Sequence, residues 1–465
     1  MILTPALATL IAASAGHAAA ASDFTRHQVA FPSGDAQLAG NLYLPDGYEP
    51  SDRLPTVIVT GAWTTVKEQM PAVYAAEMAG RGFAVLTFDF RGWGESEGSP
   101  RFLEDPERKT QDIIAAASFL VQRPEVDPAR VAGLGICASA AYMSDATRRS
   151  PDIRALGLVA PWFHDRAIAE AVYGGVEGMT SLIATGRDAA ESPDPVYIEA
   201  ASSENPDALM YQAPYYTDTN RGMIDAYDNR FNVASWEPWL TYDGVEIGET
   251  LRKPTVAVHS EAAAVPQGVA AFAERMGHSA ELVWLDGVTQ FDFYDNPEPV
   301  GRAADILAAH FDEAFAEQQA VAAVKTRIEA VMTLVDLGSF GSLPDLYADA
   351  VSLDFSSLTG QPPVVLSGVE IAELWGATLP GFDRTRHAIS ELHVEIDGNT
   401  ATATADVQAD HYLGADFWRV SGAYRFELRE TSGEWRITSH ALDVRDEAGS
   451  RDVLARATER VSEGR

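Results

Sequence analysis

The hydrophobic rhythm of the chain changes twice. Near the start, apolar positions at residues 27–31 and 38–44 flank the turn Ser33-Gly34-Asp35, the pattern of a β-hairpin. Short apolar runs then alternate with helical stretches. Thr56-Val57-Ile58-Val59-Thr60 reads as a buried strand, as do residues 83–89, 131–134, 153–161, 255–259 and 281–285. Residues 74–81, 112–122, 267–276, 300–317 and the stretch after Cys137 read as helices. Strands joined by helices need crossovers, so this part is predicted to be α/β, with a mainly parallel sheet covered on both faces.

Residues 162–252 interrupt that alternation. They carry Trp236, Trp239, Tyr211, Tyr215 and Tyr216 among several Pro and Asp residues, without a long strand, which predicts an insertion lying over the sheet as a lid. From about residue 321 the pattern changes again. Helical stretches over 321–335 and 343–347 precede long strands at 388–396, 401–412, 417–430 and 435–444, with tight-turn signals at Asp397-Gly398 and Ser432-Gly433. This is an antiparallel meander with helices on one face, an α+β unit over residues 321–447, followed by a tail at 448–465.

Charge narrows the partners. With 68 acidic and 34 basic residues the formal charge is -34, so nucleic acid and anionic membrane are excluded as partners by repulsion. Only Lys67, Lys109, Lys253 and Lys325 are lysines; an acidic, lysine-poor surface suits a salty or extracellular setting, and a base-composition bias gives the same picture. Residues 1–22 read as an export signal, an apolar run leading into the small residues 17–22, although no Lys or Arg precedes it, and a merely Ala-rich N-terminus is the competing reading. The expected location is therefore periplasmic or secreted. Histidines are scattered and no Cys pair or phosphate loop is present, so neither metal nor cofactor is expected and the partner is a small-molecule substrate.

Cys137 is the only cysteine. It stands in Gly135-Ile136-Cys137-Ala138-Ser139 directly after an apolar run. A sharp strand-to-helix turn demands small residues two places before and after its central residue, and Gly135 and Ser139 meet that demand. The helix that follows would aim free N–H groups at the sulfur and lower the thiol pKa. The plain alternative is a buried core cysteine.

These residues, with Thr60-Gly61-Ala62-Trp63 after the third strand and Asp89-Phe90-Arg91-Gly92-Trp93-Gly94-Glu95-Ser96 after the fourth, resemble the α/β-hydrolase fold over residues 23–318. The likeness is to the branch containing dienelactone hydrolases, which carries Cys at the elbow. It implies a Cys137 nucleophile, oxyanion donors from Ala138 and from Ala62 or Trp63, and an acid at Glu261. The family's histidine position is occupied by Gln290, which cannot accept a proton near neutral pH. Three explanations compete: an imidazole from another loop, with His164 the tentative base and His259 the other candidate; a helix dipole that alone holds enough thiolate; or a binder without turnover. Asp292 and Asp295 share the Gln290 loop and are candidate proton acceptors, whereas Asp89 reads as a turn stabiliser.

The second unit resembles SnoaL-like domains of the nuclear-transport-factor-2 superfamily, through Tyr347-Ala348-Asp349, residues 353–358, Arg386-His387, Ala409-Asp410-His411, Gly422-Ala423-Tyr424 and residues 433–437. That likeness implies a cone with an apolar pocket, an acid-base pair of Asp354 and His387, and Tyr347 and His411 as neighbours. Members often pair through the open sheet, so a homodimer is the oligomer it allows. The reading that results is hydrolysis of a small ester, lactone or thioester through a Cys137 acyl-enzyme. A small-molecule binder and an isomerase or hydratase in the second unit are the alternatives.

Overall fold

The computed structural model describes residues 24–49 and 51–464, so the export signal expected over residues 1–22 lies outside the described residues. No helix among the described residues is long and apolar enough to cross a membrane. The chain divides into two units, one up to Phe315 and one from Ala316.

The first unit is an eight-stranded sheet. Its strands are β1 (Phe24–Ser33), β2 (Ala36–Pro45), β3 (Leu54–Thr60), β4 (Ala84–Phe88), β5 (Val126–Ile136), β6 (Ala155–Val159), β7 (Thr255–His259) and β8 (Ala280–Trp284). They lie in the order β1-β2-β4-β3-β5-β6-β7-β8; β1 and β2 run antiparallel, and β3 to β8 are parallel. Strands β4, β6 and β7 are buried along their whole length, as their unbroken apolar runs require when helices cover both faces. The order reverses at β3, which pairs with β4 on one side and β5 on the other. The loops leaving β3 and β5 therefore emerge side by side at the carboxyl edge, where open α/β sheets form their crevice.

Helix α1 (Met70–Ala79) starts earlier than its periodicity suggests because Pro71 can occupy the first turn without losing a hydrogen bond. Helix α2 (Pro106–Leu120) likewise starts early, capped by the Asp105 carboxylate, which accepts from the N–H groups of Glu107 and Arg108. Helix α3 (Ser139–Arg149) leaves the elbow, and α4 (Pro266–Met276) links β7 to β8. The insertion after β6 folds into the helices Arg166–Val172, Gly175–Glu191, Pro214–Thr217 and Trp236–Leu240 with two short ribbons. The sequence suggested two helices near the unit boundary, but one helix, α5, runs over Pro297–Asp336. Residues 317–320 are Glu-Gln-Gln-Ala, all good helix formers, so nothing there breaks it.

The second unit holds a six-stranded sheet of β9 (Tyr347–Asp354), β10 (Val364–Leu366), β11 (Arg384–Asp397), β12 (Thr400–Leu413), β13 (Asp416–Thr431) and β14 (Glu434–Gly449). The order is β10-β9-β14-β13-β12-β11, antiparallel except for β9 beside β14. Register shifts at Ser390/His393, Ser421/Gly422 and Glu427/Leu428 curl the sheet. At one of them a Cβ on Gly422 would lie 2.1 Å from the Asp443 carbonyl oxygen, so the bend admits only glycine. Helix α6 (Gly368–Gly376) begins with a capping box from Ser367 and Glu370. The stretch expected as a tail instead forms α7 (Asp452–Ser462), with Val453 and Ala457 buried.

Candidate active site

Cys137 sits in the turn between β5 and α3 with φ at 56°, a left-handed conformation that costs a non-glycine residue about 1–3 kcal/mol. The surrounding structure enforces it. A Cβ on Gly135 would meet the Ala140 Cα at 2.7 Å, so strand and helix cross too closely for any side chain there. The Ser139 hydroxyl donates to the Ile136 carbonyl (3.1 Å) and accepts from the Ile136 N–H (3.1 Å) and from the Thr60 hydroxyl (2.9 Å), tying the turn to the end of β3.

Three donors face the sulfur, the backbone N–H groups of Ala138 and Trp63 and the Tyr294 hydroxyl, with the Gln290 amide alongside. Of the two candidates in the β3 loop it is therefore Trp63, not Ala62, whose N–H faces the thiol; the Ala62 carbonyl accepts from Thr65 Oγ1 at 2.6 Å. The expected drop in the thiol pKa does not occur. Burial pushes the Cys137 thiol up, and the neighbouring donors only partly offset it. The residue is 8% exposed.

Gln290 stands beside the sulfur, in the place of a base, and its amide orientation is dictated by its neighbours. Oε1 accepts from the Ala264 N–H at 3.0 Å, while Nε2 donates to the Ala160 carbonyl at 2.9 Å and to the Tyr294 hydroxyl oxygen at 3.0 Å. Tyr294 lies one turn further along the short helix Asp292–Asp295 and is fully enclosed. Two anchors hold this loop: the Tyr74 hydroxyl donates to the Phe293 carbonyl (2.9 Å), and Arg221 in the insertion pairs with Asp295 (2.7 Å).

The other proposed proton acceptors are engaged elsewhere. His164 is buried, and its Nδ1 accepts the Trp162 indole N–H at 3.2 Å, so its one proton sits on Nε2 and is donated to the Trp239 carbonyl at 3.0 Å. With both nitrogens committed and its pKa lowered by burial, His164 is a satisfied core histidine and not a base on Cys137. His259 is wholly buried, stacks on Trp284 at 5.7 Å and has its pKa lowered by burial to about 4. Glu261 is exposed, and among the described residues it meets no imidazole or cation. Asp292 accepts from the Thr289 N–H and hydroxyl, closing its own turn, and Asp295 holds Arg221. Asp89 binds the Lys67 ammonium (2.7 Å) and the N–H groups of Lys67 and Glu95, the turn role expected of it.

Aromatic rings from the insertion close over this centre. Trp63 stacks on Trp239 (4.9 Å) and meets Phe231 and Trp236 edge-on. Tyr142, Tyr173, Tyr216 and Tyr294 are all near enough to feel the sulfur's charge.

The second unit contains a cavity of about 530 Å³ walled by Val331, Leu353, Trp375, Trp418 and other apolar residues. His387, His411 and His440 line it too. The carboxylate partner of His387 is not Asp354 but Asp336, at the end of α5: Oδ1 takes the His387 Nδ1–H at 2.7 Å, Oδ2 the His387 backbone N–H at 2.7 Å, and Thr385 adds a third bond at 2.9 Å. Burial opposes the Asp336 charge, but these bonds outweigh it and hold the carboxyl below its usual range. Asp354 instead caps a turn, accepting from the N–H and hydroxyl of Ser356. Tyr347 is buried and bonds His440 Nδ1 at 3.0 Å. His411 packs edge-on against His387 at 5.3 Å. Burial lowers the pKa of His411 to about 4 and of His440 to about 3. Sequence reasoning missed Tyr294, Asp336 and His440.

Comparison with known proteins agrees with both halves. The serine aminopeptidase S33 family profile matches residues 58–217, and the SnoaL-like domain profile matches residues 316–441. The chain joins an α/β-hydrolase domain to a SnoaL-like domain. The uncharacterized protein YcjY of Escherichia coli strain K12 is 27% identical over 291 residues, covering 59% of this chain and 94% of its own. The crystal structure of the hypothetical protein PA2218 from Pseudomonas aeruginosa superposes with a TM-score of 0.55 at 25% identity, covering 63% of this chain and 95% of that one. The thiohydrolase aneE of Aspergillus aculeatus is 28% identical over 166 residues, 35% of this chain and about half (51%) of its own length.

Proposed function

We propose that the α/β-hydrolase domain takes the acyl group of a small thioester onto Cys137 and releases it as the acid, a thioester hydrolase. One observation carries this reading: a strained elbow presents the sulfur between the N–H groups of Ala138 and Trp63. Attack of the sulfur on a carbonyl carbon puts negative charge on the carbonyl oxygen, and these two fixed dipoles are aimed at where it forms, an arrangement worth about 10²–10³ in rate per donor. A thioester is favoured over an oxygen ester because the site offers no imidazole to protonate an alkoxide, while a departing thiol has an acidity close to that of the attacking one. The name of aneE, a thiohydrolase, points the same way. The aromatic ceiling suits an apolar or ring-containing acyl group. The test is thiol release from a panel of aryl and alkyl thioesters. Wild type is expected to turn over at least one, and Cys137→Ala none; equal binding by both with no turnover would favour the binder reading instead.

A second reading rests on the Asp336–His387 pair. The carboxylate fixes the proton on Nδ1, which leaves Nε2 as the basic nitrogen of a residue that lines an apolar cavity. We infer that the SnoaL-like domain binds an uncharged cyclic compound there and moves a proton on it, as an isomerase or hydratase does. Loss of that activity in Asp336→Asn, with ligand binding kept, is the expected result.

A further inference from the structure

The cavity of the SnoaL-like domain has two unlike ends. On one side of its sheet, Val364 of the edge strand β10 stands opposite Leu353 of β9, and Leu353 opposite His440 of β14. From the other edge, His387 of β11 stands opposite Ala409 of β12, and Ala409 opposite Val420 of β13. Opposite residues share a face of a sheet, and Val364, Leu353, His440, Val420 and His387 all line the cavity, so one face walls it from edge to edge. In the strand order β10-β9-β14-β13-β12-β11, five spacings of about 4.8 Å each lie between the edges. Polarity divides along that path. The β11 end holds His387 and His411; the His411 ring lies 4.9 Å from Trp418, whose indole donates to Glu447 at 2.9 Å, and Glu447 in turn holds Arg451 at 2.6 Å, a further lining residue. The β10 end is lined by Leu358, Pro362, Val364 and Leu374, with the uncharged Thr359 and Gln361 among them. Val364 is 45% exposed and Leu374 51%, so the apolar wall runs out to the surface there.

Resting on the reading that this cavity holds an uncharged cyclic compound, we propose that its ligand is elongated. A ring bearing a hydrogen-bonding group sits at His387 and His411, and an apolar chain runs along the sheet past Leu353 and leaves the cavity over Val364 and Leu374. The Asp336 carboxylate keeps the His387 proton on Nδ1, so Nε2 is free to accept from the head group. A ring alone covers only part of the path between the two edges, and apolar wall left unfilled forfeits its dispersion contacts. Each methylene laid on that wall removes further apolar surface from water, so affinity grows with the chain until it passes the mouth.

The experiment is calorimetric titration of the full chain with para-alkylphenols from methyl to hexyl, which are uncharged at neutral pH and carry an O–H for His387 Nε2. Wild type is expected to bind about fourfold more tightly for each added methylene. In Val364→Asp, para-hexylphenol should bind about tenfold more weakly while para-methylphenol stays within about twofold of wild type, because the new charge lies on the path of the chain and not of the ring. Leu374→Asp places the charge on a helix instead of a strand and is expected to give the same split, so the test survives the misfolding of either variant. Affinity that does not rise with chain length overturns the proposal, as do variants that weaken both phenols equally or neither. Absence of binding by every phenol to wild type overturns the cavity reading itself, a different failure.

Discussion

The two candidate sites arrange their buried polar groups differently. Around Cys137 donors converge: the N–H groups of Ala138 and Trp63 and the Tyr294 hydroxyl meet one sulfur, the Gln290 amide is spent on Ala264, Ala160 and Tyr294, and the Trp63 indole N–H has no partner among the described residues. In the SnoaL-like cavity, His411 Nδ1 and His440 Nε2 are buried with no protein partner. A centre that gathers donors is complementary to negative charge, whereas a greasy cavity in which burial keeps His411 and His440 neutral is complementary to an uncharged ligand carrying hydrogen-bonding groups.

The largest way to separate them is acid. His411 and His440 have folded pKa values of about 4 and about 3, below the ordinary histidine value, so the unfolded state binds protons first. Their contribution is fully present above the unfolded pKa of about 6.5 and is lost as pH falls toward the folded values, about 3 kcal/mol from His411 alone. Thermal melts between pH 7 and pH 4 should show the SnoaL-like domain losing stability steeply, with a shallower loss in His411→Gln. The α/β-hydrolase domain carries His259, with a folded pKa of about 4, and His164 and His310, also lowered by burial, so its transition should fall over the same range, while His411→Gln should flatten the loss in the SnoaL-like domain alone.

Next in size, Gln290→Ala strips partners from the Ala264 N–H and the Ala160 carbonyl, and chemical denaturation should show a loss of roughly 2–3 kcal/mol confined to the α/β-hydrolase domain. Gly135→Ala forces strand and helix apart at the elbow and should cost about 2 kcal/mol, with slower thioester turnover because the sulfur moves away from its donors. The smallest effect belongs to Glu261→Gln: at an exposed, unpartnered position, stability should stay within about 0.5 kcal/mol and turnover should be unchanged. A strong loss of turnover there would restore Glu261 to the site.

Much of the fold was legible because it is written in local periodicity. The alternating buried runs and the small residues around Cys137 imply a parallel sheet and an elbow without any knowledge of contacts. The β3 loop was placed correctly, but which of two adjacent N–H groups faces the sulfur depends on the path of that loop. Tyr294 was hidden for a related reason. Its only local signal is the spacing of four residues from Gln290, which sets two side chains on one face of a single helical turn. Asp336 was missed because its partner is 51 residues away, on strand β11 and not on its own helix. Asp354 carried a signal that argued against it, since Ser356 two residues on is placed to capture its carboxylate in a local turn. Burial overrode the helix dipole at the thiol, a balance that requires knowing what covers the elbow.

The proposed chemistry meets its most direct test in the intact mass of the chain after brief exposure to a phenyl thioester, followed by peptide mapping. A single added acyl group is expected on the peptide containing Cys137, absent in Cys137→Ala. A wild-type chain that keeps its unmodified mass across the thioester panel, or that carries the acyl group on another residue, would contradict it.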